Sequence, residues 1–181
     1  MTELLLCLGI VLVFGRAWRG PWLFDDVAIL DETEEFESGY YFKPHRWWFS
    51  LFKHRPATYF LYQLTYRVVG FRMEVWHGIN LVMHGAAVIL LHRLVLAWGF
   101  PSLWAAGAAA AFAFHPLQVA SVCYLSGRPG VQSVMFTLAG LYAAHSGAWL
   151  AATGFQFIAW KSKEDSILLW ALYPISFFLL Q

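Results

Sequence analysis

Residues 76–98 read WHGINLVMHGAAVILLHRLVLAW, and this run decides the fold. From Val75 to Trp98 it is apolar enough, and at about 1.5 Å of rise per residue long enough, to cross a hydrocarbon layer ~30 Å thick as one helix. Its polar residues are not scattered. His77, Asn80 and His84 stand at i, i+3 and i+7 and so share one helix face, which must point into protein or a wet cavity because lipid cannot satisfy it. Interhelical hydrogen bonding is the plain reading of that face, and a site is the other. His92-Arg93, toward the far end, reads as interfacial snorkelling.

Working outward, Gly99-Phe100-Pro101 makes a tight break, and Ser102 to Phe114 is an Ala-rich helix whose small side chains permit close packing. His115-Pro116 ends or kinks it. After the polar patch Ser126-Gly127-Arg128-Pro129-Gly130, Val131 to Ala152 is expected to span, with Gly154 to Trp160 as a short return. Lys161 to Asp165 is charged and is expected at an interface, followed by a last apolar run, Ile167 to Leu180. Toward the N-terminus, Leu4 to Phe14 reads as an uncleaved first membrane helix: no cation precedes it, no small-x-small site follows, and Arg16 and Arg19 come after it. Trp18 and Trp22 read as interfacial aromatics. Between Phe24 and about Arg72 lie an acidic stretch, Asp31 to Glu37, and an aromatic and basic one, Tyr40 to Arg55, with too many charges for hydrocarbon. The expectation is an all-α, polytopic membrane bundle with five or six membrane segments and amphipathic helices in a long first outer loop. It forms a single membrane domain over 1–181: first helix 1–19, outer loop 20–74, remaining helices 75–181.

Composition agrees. Hydrophobic residues make up 60% of the 181 and charged ones 13%, against roughly a quarter charged in an average soluble domain. Net charge is +1, so no basic field argues for a nucleic-acid partner. Cys7 and Cys123 show neither CxxC nor ligand spacing and read as buried thiols.

Three features could carry chemistry. Asp25-Asp26 follows an apolar segment, where two carboxylates at a membrane surface could hold a divalent cation or leave one acid as a general base; a solvated helix cap is the plainer reading. The His77/Asn80/His84 face is the second. The third comprises His115, Arg128, Lys161, Lys163, Glu164 and Asp165 at the ends of apolar segments. Cations gathered there around one carboxylate pair could bind a lipid phosphate, or form an ordinary positive rim.

Five blocks in order resemble the GT-C glycosyltransferases, within them the protein O-mannosyltransferase-like proteins that include the transmembrane and tetratricopeptide-repeat enzymes and bacterial relatives. The blocks are FDD at Phe24 to Asp26, RPATYFLYQLTYRVVG at Arg55 to Gly70, HGINLVMH at His77 to His84, FHPLQVASVCYLSGRPG at Phe114 to Gly130, and SKED at Ser162 to Asp165. The resemblance covers nearly the whole chain but only the front part of the family. It implies an integral membrane protein of the bacterial inner membrane or endoplasmic reticulum. Such a protein transfers a mannose-like hexose from a polyprenyl-phosphate-linked donor to a hydroxyl of a protein or other acceptor, with inversion, on the lumenal or periplasmic face. Partners so implied are membrane lipid, the lipid-linked donor and a protein acceptor.

By the same match Asp25 or Asp26 is the catalytic base, with a divalent cation as the cofactor that pair could hold. Arg55, His77, His84, His115, Arg128, Lys163 and Glu164 would line the pocket or fix its walls. Two departures set up the alternative. Family members commonly carry a glutamate where Ala120 stands after His115-Pro116, and the chain stops near the sixth segment. The alternative is a truncated noncatalytic protein of the same front fold, acting as an accessory or lipid- or partner-binding subunit. A small transporter is disfavoured because no half-helix pair or inverted repeat is visible. The resemblance puts the Asp pair outside, while the count of Lys and Arg by the positive-inside rule favours the reverse.

Overall fold

A computed structural model describes residues 1–21, 24–43, 55–171 and 173. The expectations for Trp22, for most of the Tyr40 to Arg55 stretch and for the end of the last apolar run, Pro174 included, fall outside the described residues. Among those described there is helix and no strand. Helix α1, Thr2–Phe14, tightens into a 3-10 turn, Gly15–Arg19. A 3-10 turn, Phe24–Asp26, leads into the short α2, Val27–Leu30, and α3, Thr33–Ser38, with a further 3-10 turn at Tyr40–Phe42. Then come α4, Pro56–Val69, and α5, Met73–Ala97. They are followed by α6, Ser102–Ala113, α7, Gln118–Cys123, and a 3-10 turn, Leu125–Gly127. Helices α8, Arg128–His145, and α9, Trp149–Ser162, precede a closing 3-10 stretch, Glu164–Ala171.

Helix α5 is the axis: α1, α6, α7 and α8 pack on it, α9 lies along α8, and α4 contacts α9. Two cores result. Along the middle, Leu6, Ile10 and Phe14 of α1 meet Leu81, Met83 and Val88 of α5, with Ala109 and Ala113 of α6 allowing close approach. At the N-terminal end of α5 an aromatic core joins Ile29, Phe36 and Tyr41 of the loop region to Tyr62, Trp76 and Leu125. That second core is what folds the charged segment against the bundle. Its short helices turn Ile29 and Phe36 inward and leave Glu34 and Glu37 exposed, while Glu32, half-buried, accepts from Tyr41 Oη at 2.6 Å.

Helix α5 is the one helix among the described residues long and apolar enough to cross a membrane. Of the five or six segments expected from apolar runs, α5 is the one that meets this length and composition among the described residues. At 12 to 14 residues, α1, α6 and α9 reach about 18–21 Å, short of a ~30 Å layer. Helix α8 has 18 residues but buries Arg128, Gln132, Ser133 and Thr137. The expected third span through Ala152 is also corrected. The chain leaves α8 at His145 and turns at Gly147, whose φ of +76° suits glycine, so that the return helix begins at Trp149 and is longer than Gly154 to Trp160. The exposed surface stays apolar, with Leu12 83%, Val82 72%, Leu103 81% and Leu150 90% exposed.

Polar groups gather at two ends of α5. At its C-terminal end Glu3 of α1 accepts from Arg93 Nε at 2.8 Å and Nη2 at 2.9 Å, with His92 Nδ1 at 3.4 Å. Sixteen residues up the helix, about 24 Å away, stands His77.

Candidate functional site

The face predicted from the i, i+3, i+7 spacing points inward: Trp76, His77, Asn80 and His84 are all buried. Asn80 is the hub. Its Nδ2 donates to the carbonyls of Tyr124 at 3.0 Å and Val122 at 3.4 Å, and its Oδ1 accepts from Arg128 Nε at 2.8 Å. Arg128 Nη2 donates to the Trp76 carbonyl at 2.8 Å, one turn earlier on α5. The guanidinium lies over the Tyr62 ring, 4.6 Å from its centroid, and the Trp76 ring, 5.0 Å away, with those two rings stacked on each other. Arg128 is fully buried. A charge so placed is tolerable only because hydrogen bonds and two π faces replace water. Its Nη1 has no hydrogen-bond partner.

The same turn fixes a carboxylate. Tyr62 Oη donates to the Leu125 carbonyl at 2.6 Å and holds the 3-10 turn, whose Ser126 N–H donates to Asp26 Oδ1 at 2.7 Å. Gly127 is required here, because a Cβ would run into the Ala120 carbonyl and the Ser121 backbone. Asp26 is fully buried, and its charge is within electrostatic reach of both Arg128 and His77. Both ring nitrogens of His77 are buried, and backbone groups of Gly20 and Cys123 interact with the ring. Asp26, His77 and Arg128, 102 residues apart at the extremes, are thus buried within electrostatic range of one another near the N-terminal end of α5.

The remaining predicted residues lie elsewhere. Asp25, next to Asp26, is exposed. Arg55 and Glu164 meet each other at 3.0 Å through both nitrogen–oxygen contacts, and the Arg55 donation holds the Glu164 carboxyl down to about 2. Lys163 pairs with Asp165 at 2.9 Å. His84 Nε2 contacts the Ala113 carbonyl at 3.0 Å deeper in the bundle. His115 is exposed, its Nδ1 accepting from the Leu117 N–H. Lys161, expected at an interface with its charged neighbours, is instead buried, its Nζ 4.2 Å from the Trp160 ring centroid. The aromatic rings preceding it cover the amine, and a charge count does not report that.

The pair Asp25-Asp26 splits between surface and interior, and no three His, Cys, Asp or Glu side chains among the described residues group to hold a metal. A divalent cation therefore does not fit this pair. Spacing alone did not place Asn80 against Arg128, nor Ser126 against Asp26. The available signal was the Asn80 position on the polar face and the compact Ser-Gly-Arg patch.

No family model matches the chain, and no solved structure matches it. Among curated proteins it is similar to protein O-mannosyl-transferase TMTC2 of Mus musculus, 25% identical over 129 aligned residues, and to its Xenopus laevis counterpart, 26% identical over 129. Each alignment covers 64% of this chain and 15% of the relative's length. The relationship is distant, and the chain spans a small part of the relatives it matches.

Proposed function

We propose that this chain is a single membrane-embedded glycosyltransferase module of GT-C type, seated in the endoplasmic reticulum or bacterial inner membrane. It transfers a mannose-like hexose from a polyprenyl-phosphate-linked donor to a hydroxyl of a protein or other acceptor, with inversion. The observation that carries this reading is the buried carboxylate of Asp26, one oxygen fixed by the Ser126 amide, within electrostatic range of Arg128 and His77. The names of the two relatives, O-mannosyl-transferases, point the same way.

In this reading Asp26 is the base and exposed Asp25 is not. Its carboxylate takes the proton of the acceptor hydroxyl as that oxygen bonds to the anomeric carbon. The bond to the phosphate oxygen breaks on the opposite face, and the electron pair leaves with the lipid phosphate. Arg128, clamped on Asn80, Trp76 and Tyr62 with Nη1 unengaged, is a preorganised donor for the charge that develops on the leaving group. Helix α5 and the apolar surface of α1, α6 and α9 supply the membrane seat.

The test is sugar transfer from a panel of radiolabelled polyprenyl-phosphate sugars by the chain in lipid. Asp26→Asn is expected to abolish turnover with the fold intact, and Asp25→Asn to retain it. Ala120 favours the second reading, a noncatalytic accessory subunit, because it is exposed and offers no carboxylate where family members carry one. Folded protein silent with every donor would support that reading.

A further inference from the structure

Helices α1 and α5 run antiparallel: Glu3 meets Arg93 at one end of the pair, and Gly20, just past the 3-10 turn Gly15–Arg19, reaches the His77 ring at the other. Between them lies a groove of about 450 Å³. Gly78, Val82, Gly85 and Ile89 line it from α5 at i, i+4, i+7 and i+11, one continuous stripe of the helix. Cys7, Val11, Gly15 and Trp18 face them from α1 and its 3-10 turn. A Cβ added at Gly78 or at Gly85 would meet no atom within 4 Å, so α1 does not close onto these glycines and the space above them stays open. We propose that the groove holds one acyl chain of an anionic glycerophospholipid, whose phosphate rests on Arg16 and Arg19.

Three observations carry it. The lining is apolar along its whole length and carries no ionisable group but the Cys7 thiol, so it suits hydrocarbon. From Gly78 to Ile89 the helix rises about 16 Å, half of a ~30 Å hydrocarbon layer, which is the depth of one leaflet and so of one of its chains. The two ends differ in charge. Arg93 is neutralised by Glu3 at 2.8 and 2.9 Å, whereas Arg16 and Arg19, in the turn that forms the opposite mouth, are exposed and make no hydrogen bond or ion pair among the described residues. Trp18, half-exposed between them, is the side chain expected at headgroup level. An unmatched pair of guanidiniums at one mouth of an apolar groove complements a lipid phosphate and fixes the polarity, head at Arg16 and Arg19, chain end toward Cys7 and Ile89. This lipid is not the sugar donor of the reading above. The stripe of Gly78, Val82 and Gly85 and the face of His77, Asn80 and His84 stand roughly 140° apart around α5, so a chain in the groove leads no phosphate to Arg128. The inference rests on the membrane seat of α5 alone and not on sugar transfer.

The experiment is native mass spectrometry of the full chain released from nanodiscs of phosphatidylcholine and phosphatidylglycerol in equal amounts, with polyprenyl phosphate added in a separate arm. One phosphatidylglycerol is expected to stay on each monomer in preference to phosphatidylcholine. Removing both cations in Arg16→Gln/Arg19→Gln should lower that preference about tenfold or more. Gly85→Leu, which puts a side chain into the groove, should abolish retention, whereas Gly107→Leu on α6, a glycine equally free of neighbours, should keep it. Should Gly85→Leu fail to fold, Gly78→Leu carries the test. No retained lipid, equal retention of the two phospholipids, retention indifferent to the groove variants, displacement of phosphatidylglycerol by polyprenyl phosphate, or a dimer that Gly85→Leu separates would each overturn the inference. Because the readout is a mass, absent turnover in the transfer assay would overturn the transferase reading and leave this one standing.

Discussion

Arg128 and Asn80 are joined by a 2.8 Å hydrogen bond across 48 residues of sequence, and the bond ties the long apolar helix α5 to the turn that holds Asp26. Asn80 also donates to the carbonyls of Val122 and Tyr124. One amide thus fixes both the buried cation and the backbone that presents the Ser126 N–H.

Removing that amide orphans a buried guanidinium nitrogen and two carbonyls. Asn80→Leu is expected to destabilise the protein by about 2–4 kcal/mol. Asn80→Asp keeps the acceptor for Arg128 and loses the donor, so it should cost less. Thermal unfolding in detergent would order the three proteins; equal melting of wild type and Asn80→Leu would refute the hub role.

Arg128→Lys is expected to be as damaging as Arg128→Met. An ammonium cannot bridge Asn80 Oδ1 and the Trp76 carbonyl with a planar fork while lying against the Tyr62 and Trp76 rings. A Lys variant as stable as wild type would show that charge alone suffices.

Gly127→Ala is expected to cost roughly 1–3 kcal/mol, because its methyl meets the Ala120 carbonyl and a backbone clash cannot be relieved by a rotamer change. The readout is the yield of folded protein together with its melting temperature. The turn must shift, so any transfer activity should fall as well.

The Arg55 to Glu164 pair makes stability pH-dependent in one window. The Glu164 carboxyl is lowered from 4.5 to about 2 in the folded protein, first by the Arg55 hydrogen bonds. A depressed carboxylate stabilises above its unfolded value and loses that contribution as pH falls through the folded one. The melting difference between wild type and Glu164→Gln should therefore hold from neutral pH to about 4.5 and shrink toward 2, its size kept small by solvent exposure. A constant difference across that range would assign the effect to packing.

Val82 projects from α5 on the side away from Asn80 and is exposed. If that side faces lipid, Val82→Asp should reduce membrane integration by about 2.5–3.5 kcal/mol in an in vitro insertion assay, while Val82→Leu integrates as wild type. Equal integration of both would remove α5 from the bilayer.

Much of this was legible in order along the chain. The run from Trp76 to Trp98 announces a long apolar helix, and its polar face could be read from a 3.6-residue period. Gly99-Phe100-Pro101 and His115-Pro116 end helices where the structure ends them. Asp25 and Asp26 could not be told apart, because adjacent residues share every local signal and differ only in what folds over them. Lys161 was misread for the same reason: burial by Phe157 and Trp160 is a property of packing.

What the amino-acid order determined by itself is the helical class, the position of the long α5 and the inward turn of its His77, Asn80 and His84, since hydrocarbon rejects polar side chains whatever their neighbours. Only the tertiary structure decided that Asp26, His77 and Arg128 are buried within electrostatic range of one another. Their convergence depends on the Tyr62, Asn80 and Ser126 hydrogen bonds closing loops of many tens of residues, and no local propensity encodes which distant partner a buried polar group will find.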